Sequence, residues 1–337
     1  MKIAVDAMGA EKGIGTVIEG SLAAFRENPE IKITLVGDEK RIAHELAKKE
    51  LAKDFFSIVH ASQVVTMTDP ATAPLKEKKD SSIAVGLEMV KEGKTEAFVS
   101  AGNTGAVMAT SLVKLGKLKG VIRPCLAATF PTFNGKEVIL VDVGANVDCK
   151  PSHLFQFAIL GSVFARSVLK IENPKVALLN IGSEENKGND QIIETFKLLK
   201  NSSLNFAGNV EGKDITSGQV DVVVCDGFVG NVILKFAEGF ALTALNIMSK
   251  ELKKSFLGLG AIFSSYWLKK VGLNLDYAEY GGVPLLGVKG ICIIAHGASS
   301  SKAIKNAILA SYRFSRAKIN QSIESILKRA SQGIGDE

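Results

Sequence analysis

Residues 97–106 read AFVSAGNTGA. An apolar run suited to a buried strand, Ala97–Ala101, meets the small polar turn Gly102-Asn103-Thr104-Gly105. A helical pattern over Thr104–Leu115 follows. Strand, glycine-bearing turn and helix in that order form the basic unit of an α/β sheet.

The unit recurs along the chain. Further strand-like runs fall at Ile3–Asp6, Ile31–Val36, Phe56–Ala61, Val138–Val143, Val176–Ile181, Asp221–Asp226 and Ile291–Ala295. Helical patterns lie between them at Thr16–Arg26, Lys40–Leu51, Ser82–Lys91, Leu154–Leu169, Asp190–Lys200, Asn231–Lys254 and Ser301–Lys328. This alternation predicts an α/β fold with a doubly wound, mostly parallel sheet and long helices toward the C-terminus. The expected organisation is one α/β catalytic domain over residues 1–330, with a frayed polar tail at 331–337.

The composition agrees with a large packed core. Of 337 residues 46% are hydrophobic and only 23% charged, which excludes a disordered chain. With aromatics at 7%, the core must rest on Val, Ile, Leu and Ala, as buried parallel sheets do. The four cysteines, Cys125, Cys149, Cys225 and Cys292, make no CxxC pair, and the four histidines are scattered, so no metal site is expected. The N-terminus enters a strand at once and no apolar run reaches the ~20 residues that span a bilayer, so a cytoplasmic protein is expected. The net charge of +6 favours anionic partners; nucleic acid is the weakest of these, since no binding motif appears.

In open α/β sheets ligands bind beyond the carboxyl ends of strands, and here those positions are rich in Gly, Asn, Ser and Asp. Gly102, Asn103, Thr104 and Gly105 open one helix, where free N–H groups suit an anion. Asn180 and Gly182 precede Lys187, whose ammonium can pair with phosphate. Asp226, Gly227, Gly230 and Asn231 follow the run Asp221–Val224. His296, Gly297 and Ser299 open the last long helix, with His296 suited to proton donation or to hydrogen bonding a phosphate oxygen. Asn146 lies at a fifth strand end, in DVGAN. Each loop also has an ordinary reading: Asn103 or Thr104 as an N-cap, Glu184 and Lys187 compensating each other in solvent, a turn at Asp226–Asn231, and Ser299 or Ser300 as an N-cap. No loop is a Walker motif or a clean GxGxxG. Cys149 has no neighbouring His in sequence to activate it.

Taken in order, these segments resemble the phosphate acyltransferase family of bacterial phospholipid synthesis over nearly the whole chain. The match runs from Val5-Asp6-Ala7-Met8-Gly9 through SAGNTGA, Arg123-Pro124, DVGAN, LNIGSEENKG, Gly208–Gly212 and DGFVGN. It closes on Tyr280–Gly287 and the His296 segment. Ala10-Glu11 stands where the family has Gly-Asp, which puts the role of position 11 in question. The resemblance implies a fold similar to phosphotransacetylase and isocitrate-dehydrogenase-like enzymes. It implies transfer of a fatty acyl group from acyl carrier protein to inorganic phosphate, with no cofactor. A homodimer and a membrane glycerol-3-phosphate acyltransferase that consumes the acyl phosphate are implied too. It adds Asp6 and Arg123 to the substrate-binding set. Lys187, Asn231 and His296 are the expected catalytic residues.

Phosphate is already an anionic nucleophile, so direct attack on the thioester needs no acyl-enzyme. Asn231, Asn103 or backbone amides would stabilise the oxyanion, and His296 or Lys187 the leaving thiolate. Arg123, Lys150 and Lys187 would form a basic rim for the acidic carrier protein. A coenzyme A-dependent phosphotransacylase of the same fold, or a non-catalytic membrane-surface scaffold, are the rival readings. A dehydrogenase would need a dinucleotide fingerprint that the chain does not show.

Residues 250–271 read KELKKSFLGLGAIFSSYWLKKV. Leu252, Phe256, Leu259, Phe263 and Trp267 recur at three- and four-residue spacing, with lysines at both ends. The segment is expected to be an amphipathic helical insertion that contacts an anionic membrane surface, at the inner face of the cell membrane, or the partner subunit.

Overall fold

Alternate side chains along the strands feed two apolar layers, one on each face of a single sheet. Ile3, Val5, Ala97, Val99, Ile139 and Val141 enter one layer, while Ala4, Phe98, Val138 and Leu140 enter the other. A sheet buried on both faces needs helices on both faces, as the doubly wound reading requires. The computed structural model describes residues 1–49, 55–254 and 281–332.

The strands are β1 (Lys2–Asp6), β2 (Lys32–Gly37), β3 (Phe56–His60), β4 (Ala97–Ser100), β5 (Cys125–Pro131) and β6 (Glu137–Val141). They continue with β7 (Val176–Leu179), β8 (Phe206–Val210), β9 (Val222–Val224), β10 (Val283–Leu286) and β11 (Ile291–Ile294). The helices are α1 (Ile14–Glu27), α2 (Glu39–Lys48), α3 (Ser82–Lys91), α4 (Thr104–Lys114) and α5 (Pro151–Ser167). They continue with α6 (Asp190–Lys200), α7 (Gly227–Lys254), α8 (Ser301–Arg316) and α9 (Ile319–Gln332).

One eleven-stranded sheet runs in the order β3-β2-β1-β4-β11-β10-β5-β6-β9-β7-β8. Its two flanks are parallel and its centre is not. Strand β10 runs against both β11 and β5, and β5 runs against β6. The pairs β1–β2, β1–β4, β2–β3 and β4–β11 are parallel, as are β6–β9, β7–β9 and β7–β8. Three direction changes between the flanks leave β6, β7, β8 and β9 pointing opposite to β1, β2, β3, β4 and β11.

Several sequence-based expectations are corrected. Strands β5, β8 and β10 lay outside the expected set; β8 has a half-buried, Gly- and Asn-bearing sequence with little apolar signal. The helix expected over Ser301–Lys328 breaks in two where Lys318 takes a positive φ of 50°. Helix α7 begins at Gly227, four residues before the expected start, because Asp226 Oδ1 accepts from the Val229 amide at 2.8 Å and caps it. Within α7, Gly227–Met248 is a 22-residue stretch long and apolar enough to cross a membrane by length and composition. Lys235 and Glu238, paired at 2.8 Å, interrupt its apolar run in the sequence.

Leu252 falls in the last turn of α7. Phe256, Leu259, Phe263 and Trp267 lie outside the described residues, as do residues 333–337 of the expected tail.

Candidate active site

The strand directions sort the glycine-bearing loops into two groups on opposite rims of the sheet. The loops after β1, β4 and β11 form the first group and carry Asp6, Gly102, Asn103, Thr104, Gly105, His296, Gly297 and Ser299. The loops after β6, β7 and β9 form the second, with Asn146, Asn180, Gly182, Lys187, Asp226, Gly227, Gly230 and Asn231; Arg123 joins it from just before β5. Among the described residues no hydrogen bond links the two groups within one chain. The glycine-bearing loops therefore do not all share one rim of the sheet. Loop composition is local, whereas the rim a loop occupies depends on strand direction.

In the first group Asp6 is sealed rather than presented. It is 1% exposed; its Oδ1 accepts from the Met8 and Gly9 amides at 3.0 and 3.1 Å, and its Oδ2 from the Ser100 hydroxyl at 2.7 Å. Burial raises its pKa, against the opposing effect of these donors. Asp6 therefore ties the ends of β1 and β4 together. Gly9 completes the tie, since a Cβ there would lie 2.7 Å from the Gly102 nitrogen. Glu11 takes up the same task toward β11: its amide donates to the Gly297 carbonyl at 2.9 Å and its carboxylate rests against Gly297.

Asn103 is the N-cap of α4, its Oδ1 accepting from the Ala106 amide at 3.0 Å. Its Nδ2 donates to the carbonyls of Thr66, Met67 and Asp69 at 3.2, 3.3 and 3.0 Å. Both ends of the amide are thus engaged within the protein, and Thr104 is the exposed neighbour. Segment 66–78 is itself pinned, because Asp69 Oδ2 accepts from the Thr66 amide at 2.6 Å and from Lys78 Nζ at 2.5 Å. His296 is exposed, and its Nδ1 accepts from the Ala298 amide at 3.1 Å, so the neutral ring carries its proton on Nε2. Ser300, not Ser299, caps α8. The Ser299 hydroxyl is buried and meets no hydrogen-bond partner among the described residues.

The second group is built around Asp142, at the end of β6. This carboxylate was not among the candidates, although it repeats the strand-end position of Asp6 and sits in the DVGAN motif. It holds the turn Gly144–Asn146, and Asn146 Nδ2 reaches on to the Pro124 carbonyl at 2.7 Å, fixing the backbone beside Arg123. The start of α7 docks on this turn. The Gly227 amide donates to the Asn146 carbonyl at 2.7 Å, and the Asn231 side chain lies 3.6 Å from where a Cβ on Gly144 would project. Arg123, Lys150, Lys187 and Asn231 are all exposed here. The His153 imidazole is lowered chiefly by burial, and then by the nearby charges of Arg123 and Lys150. Asn180 Nδ2 closes its loop by donating to the Lys187 carbonyl at 3.0 Å, and Gly182 is buried against the Glu184 and Lys187 side chains.

Cys149 belongs to this group but is a poor nucleophile. Burial first, and then the Asp142 carboxylate, push its thiol up to about 11, leaving almost no thiolate at neutral pH. No cluster of three or more metal-ligating side chains occurs among the described residues.

The arrangement thus offers helix N-termini, an exposed carboxamide and exposed cations around backbone-lined turns, a setting for binding anions and stabilising an oxyanion. Comparison with known proteins gives the family. Residues 1–322 match the family described as fatty acid synthesis protein. The phosphate acyltransferase of Geotalea daltonii is 49% identical over 322 residues, covering 95% of this chain and 92% of its own.

The chain belongs to the phosphate acyltransferase family.

It is an acyltransferase. The phosphate acyltransferase of Thermoanaerobacterium thermosaccharolyticum is 48% identical over 338 residues, covering 100% of this chain and 98% of its own. Among solved structures, a phosphotransacetylase from Streptococcus pyogenes superposes with a TM-score of 0.63 at 17% identity, covering 96% of this chain and 94% of that one. A branched-chain phosphotransacylase from Enterococcus faecalis gives 0.60 at 15% identity, covering 93% and 98%. At such identities the likeness concerns the fold, which is phosphotransacetylase-like as expected.

Proposed function

We propose that this acyltransferase moves a fatty acyl group from acyl carrier protein to inorganic phosphate, giving acyl phosphate for phospholipid synthesis. The observation that carries the reading is the start of α7, where Asn231 stands beside the backbone-lined Gly144–Asn146 turn with Arg123 and Lys187 on the same rim. Phosphate held there attacks the thioester carbon. The carbonyl oxygen takes up negative charge toward Asn231 and backbone N–H donors, each worth ~3–4 kcal/mol to such a transition state. Collapse breaks the C–S bond, and the carrier leaves as a thiolate that takes a proton from solvent. Lys187 balances the anionic charge. The first group, with His296 beside the α8 N-terminus, supplies donors for an anionic part of the acyl donor.

Arg123, Lys150 and Lys187 are proposed as the rim on which the acidic carrier docks. A homodimer, and a peripheral position at the inner face of the cell membrane, suit the exposed apolar side chains of α7, including Phe228, Val232, Phe236 and Phe240. There the labile product would pass directly to a membrane acyltransferase that acylates glycerol 3-phosphate.

The test is incubation with phosphate and either acyl-carrier protein or acyl-coenzyme A, trapping acyl phosphate with hydroxylamine. Product from the carrier thioester is expected. Product only from the coenzyme A thioester would reassign the donor, and product from neither would overturn the reading.

A further inference from the structure

The Asp142 side chain is fully buried at the junction of the three elements that build the second group. Its Oδ1 accepts from the Leu126, Gly144 and Ala145 amides at 2.9, 3.2 and 3.1 Å. Its Oδ2 accepts from the Asn146 amide at 2.7 Å, from Asn146 Nδ2 at 2.9 Å and from the Ala145 amide at 3.1 Å. These donors come from the start of β5 and from the turn after β6. Helix α7 touches the same residue, since Cβ atoms at Gly227 and Gly230 would meet Asp142 Oδ2 at 2.9 Å and the Asp142 carbonyl oxygen at 1.9 Å. One carboxylate therefore sets how the Arg123 backbone, the Gly144–Asn146 turn and the Asn231 helix stand relative to one another.

We propose that Asp142 is a positioning residue of the acyl-transfer site, acting on the reaction by fixing Asn231 and the Asn146 turn without touching substrate. The proposal rests on the site reading above. Its cause is geometric: a buried carboxylate can accept from several amides at once, and neither a hydroxyl nor one carboxamide oxygen can replace it. A misplacement of about 1 Å in such a site costs on the order of a hundredfold in rate.

Asp142→Asn keeps the volume and one acceptor oxygen. Its kcat is expected to fall on the order of a hundredfold with little change in KM for the thioester. The double variant with Asn231→Ala should lose clearly less than the product of the two single losses, because Asp142 acts in part through that residue. Hydrogen exchange should show lost protection confined to residues 143–147 and 226–231. If Asp142→Asn does not fold, Gly144→Ala perturbs the same turn with the carboxylate in place, at a φ of +138° and toward Asn231, and must give the same kcat-selective loss. Multiplicative losses in the double variant, or an unchanged kcat in folded protein, would overturn the proposal. If the wild type makes no acyl phosphate, the site reading falls, and unchanged exchange at 143–147 and 226–231 would then refute the positioning role independently.

Discussion

Gly230 lies so close to Asp142 that a Cβ would come within 1.9 Å of the Asp142 carbonyl oxygen. The contact joins the first turn of α7 to the end of β6 through backbone alone. In an ordinary helix Gly→Ala gains about 1 kcal/mol; here overpacking costs typically 1–3 kcal/mol and outweighs that gain. Gly230→Ala is expected to lower the melting temperature by several degrees and turnover by at least about tenfold. A variant that melts and turns over like wild type would show that α7 yields freely.

Lys187 and Asn231 are exposed, so truncating either should leave the fold intact. Lys187→Ala and Asn231→Ala are expected to reduce turnover by about 10²–10³, the range for a lost oxyanion donor. Circular dichroism and melting temperature should match wild type. Near-normal turnover in both would remove them from the site.

Cys149 is expected to be dispensable. With its thiol near 11 and phosphate serving as nucleophile, Cys149→Ala should keep most of its activity. Mass spectrometry during turnover should find no added acyl mass. An acyl thioester trapped on Cys149 would replace direct attack with a two-step route.

Asp69 gives a pH signature. The Lys78 ammonium, assisted by the Thr66 amide, holds its carboxyl down to about 2. A depressed carboxyl stabilises the fold above its unfolded value of 3.8 and loses that contribution as pH falls toward about 2. Asp69→Asn should therefore melt below wild type at neutral pH, with the gap closing between roughly pH 4 and pH 2. A gap constant across that window would disconnect the carboxylate from the stability of segment 66–78.

The apolar face of α7 needs a cover. Phe236 and Phe240 are 70% and 63% exposed and stack on each other at 5.9 Å. If the cover is a second copy, Phe236→Glu with Phe240→Glu should produce monomers in analytical ultracentrifugation. If it is lipid, the double variant should stop pelleting with anionic vesicles while its mass stays unchanged. A variant that still dimerises and still pellets would assign the face to neither.

Much of this was legible beforehand because the signals are local. A strand ending in Gly-Asn-Thr-Gly, as at 102–105, announces a turn and an N-cap whatever surrounds it, and Asn103 is that cap. The same residue shows where legibility stops. Nothing nearby in the sequence reveals that its Nδ2 is engaged by carbonyls at Thr66, Met67 and Asp69. Asp6 joined the substrate-binding set through the family resemblance, and only the structure shows the Ser100 hydroxyl and two amides enclosing it.

By itself the sequence determined the alternation of strands and helices, the two-faced apolar core, the family and the loops that carry polar residues. Each of these follows from residue type and short-range periodicity, or from the order of motifs along the chain. Only the tertiary structure decided which loops share a rim. That choice depends on β10 running against both neighbours, and β5 against β6, pairings made between segments far apart in sequence. A strand pattern reads the same in either direction, so hydrophobic period cannot specify it. The long-range strand pairings, and the seating of Gly230 on Asp142, can.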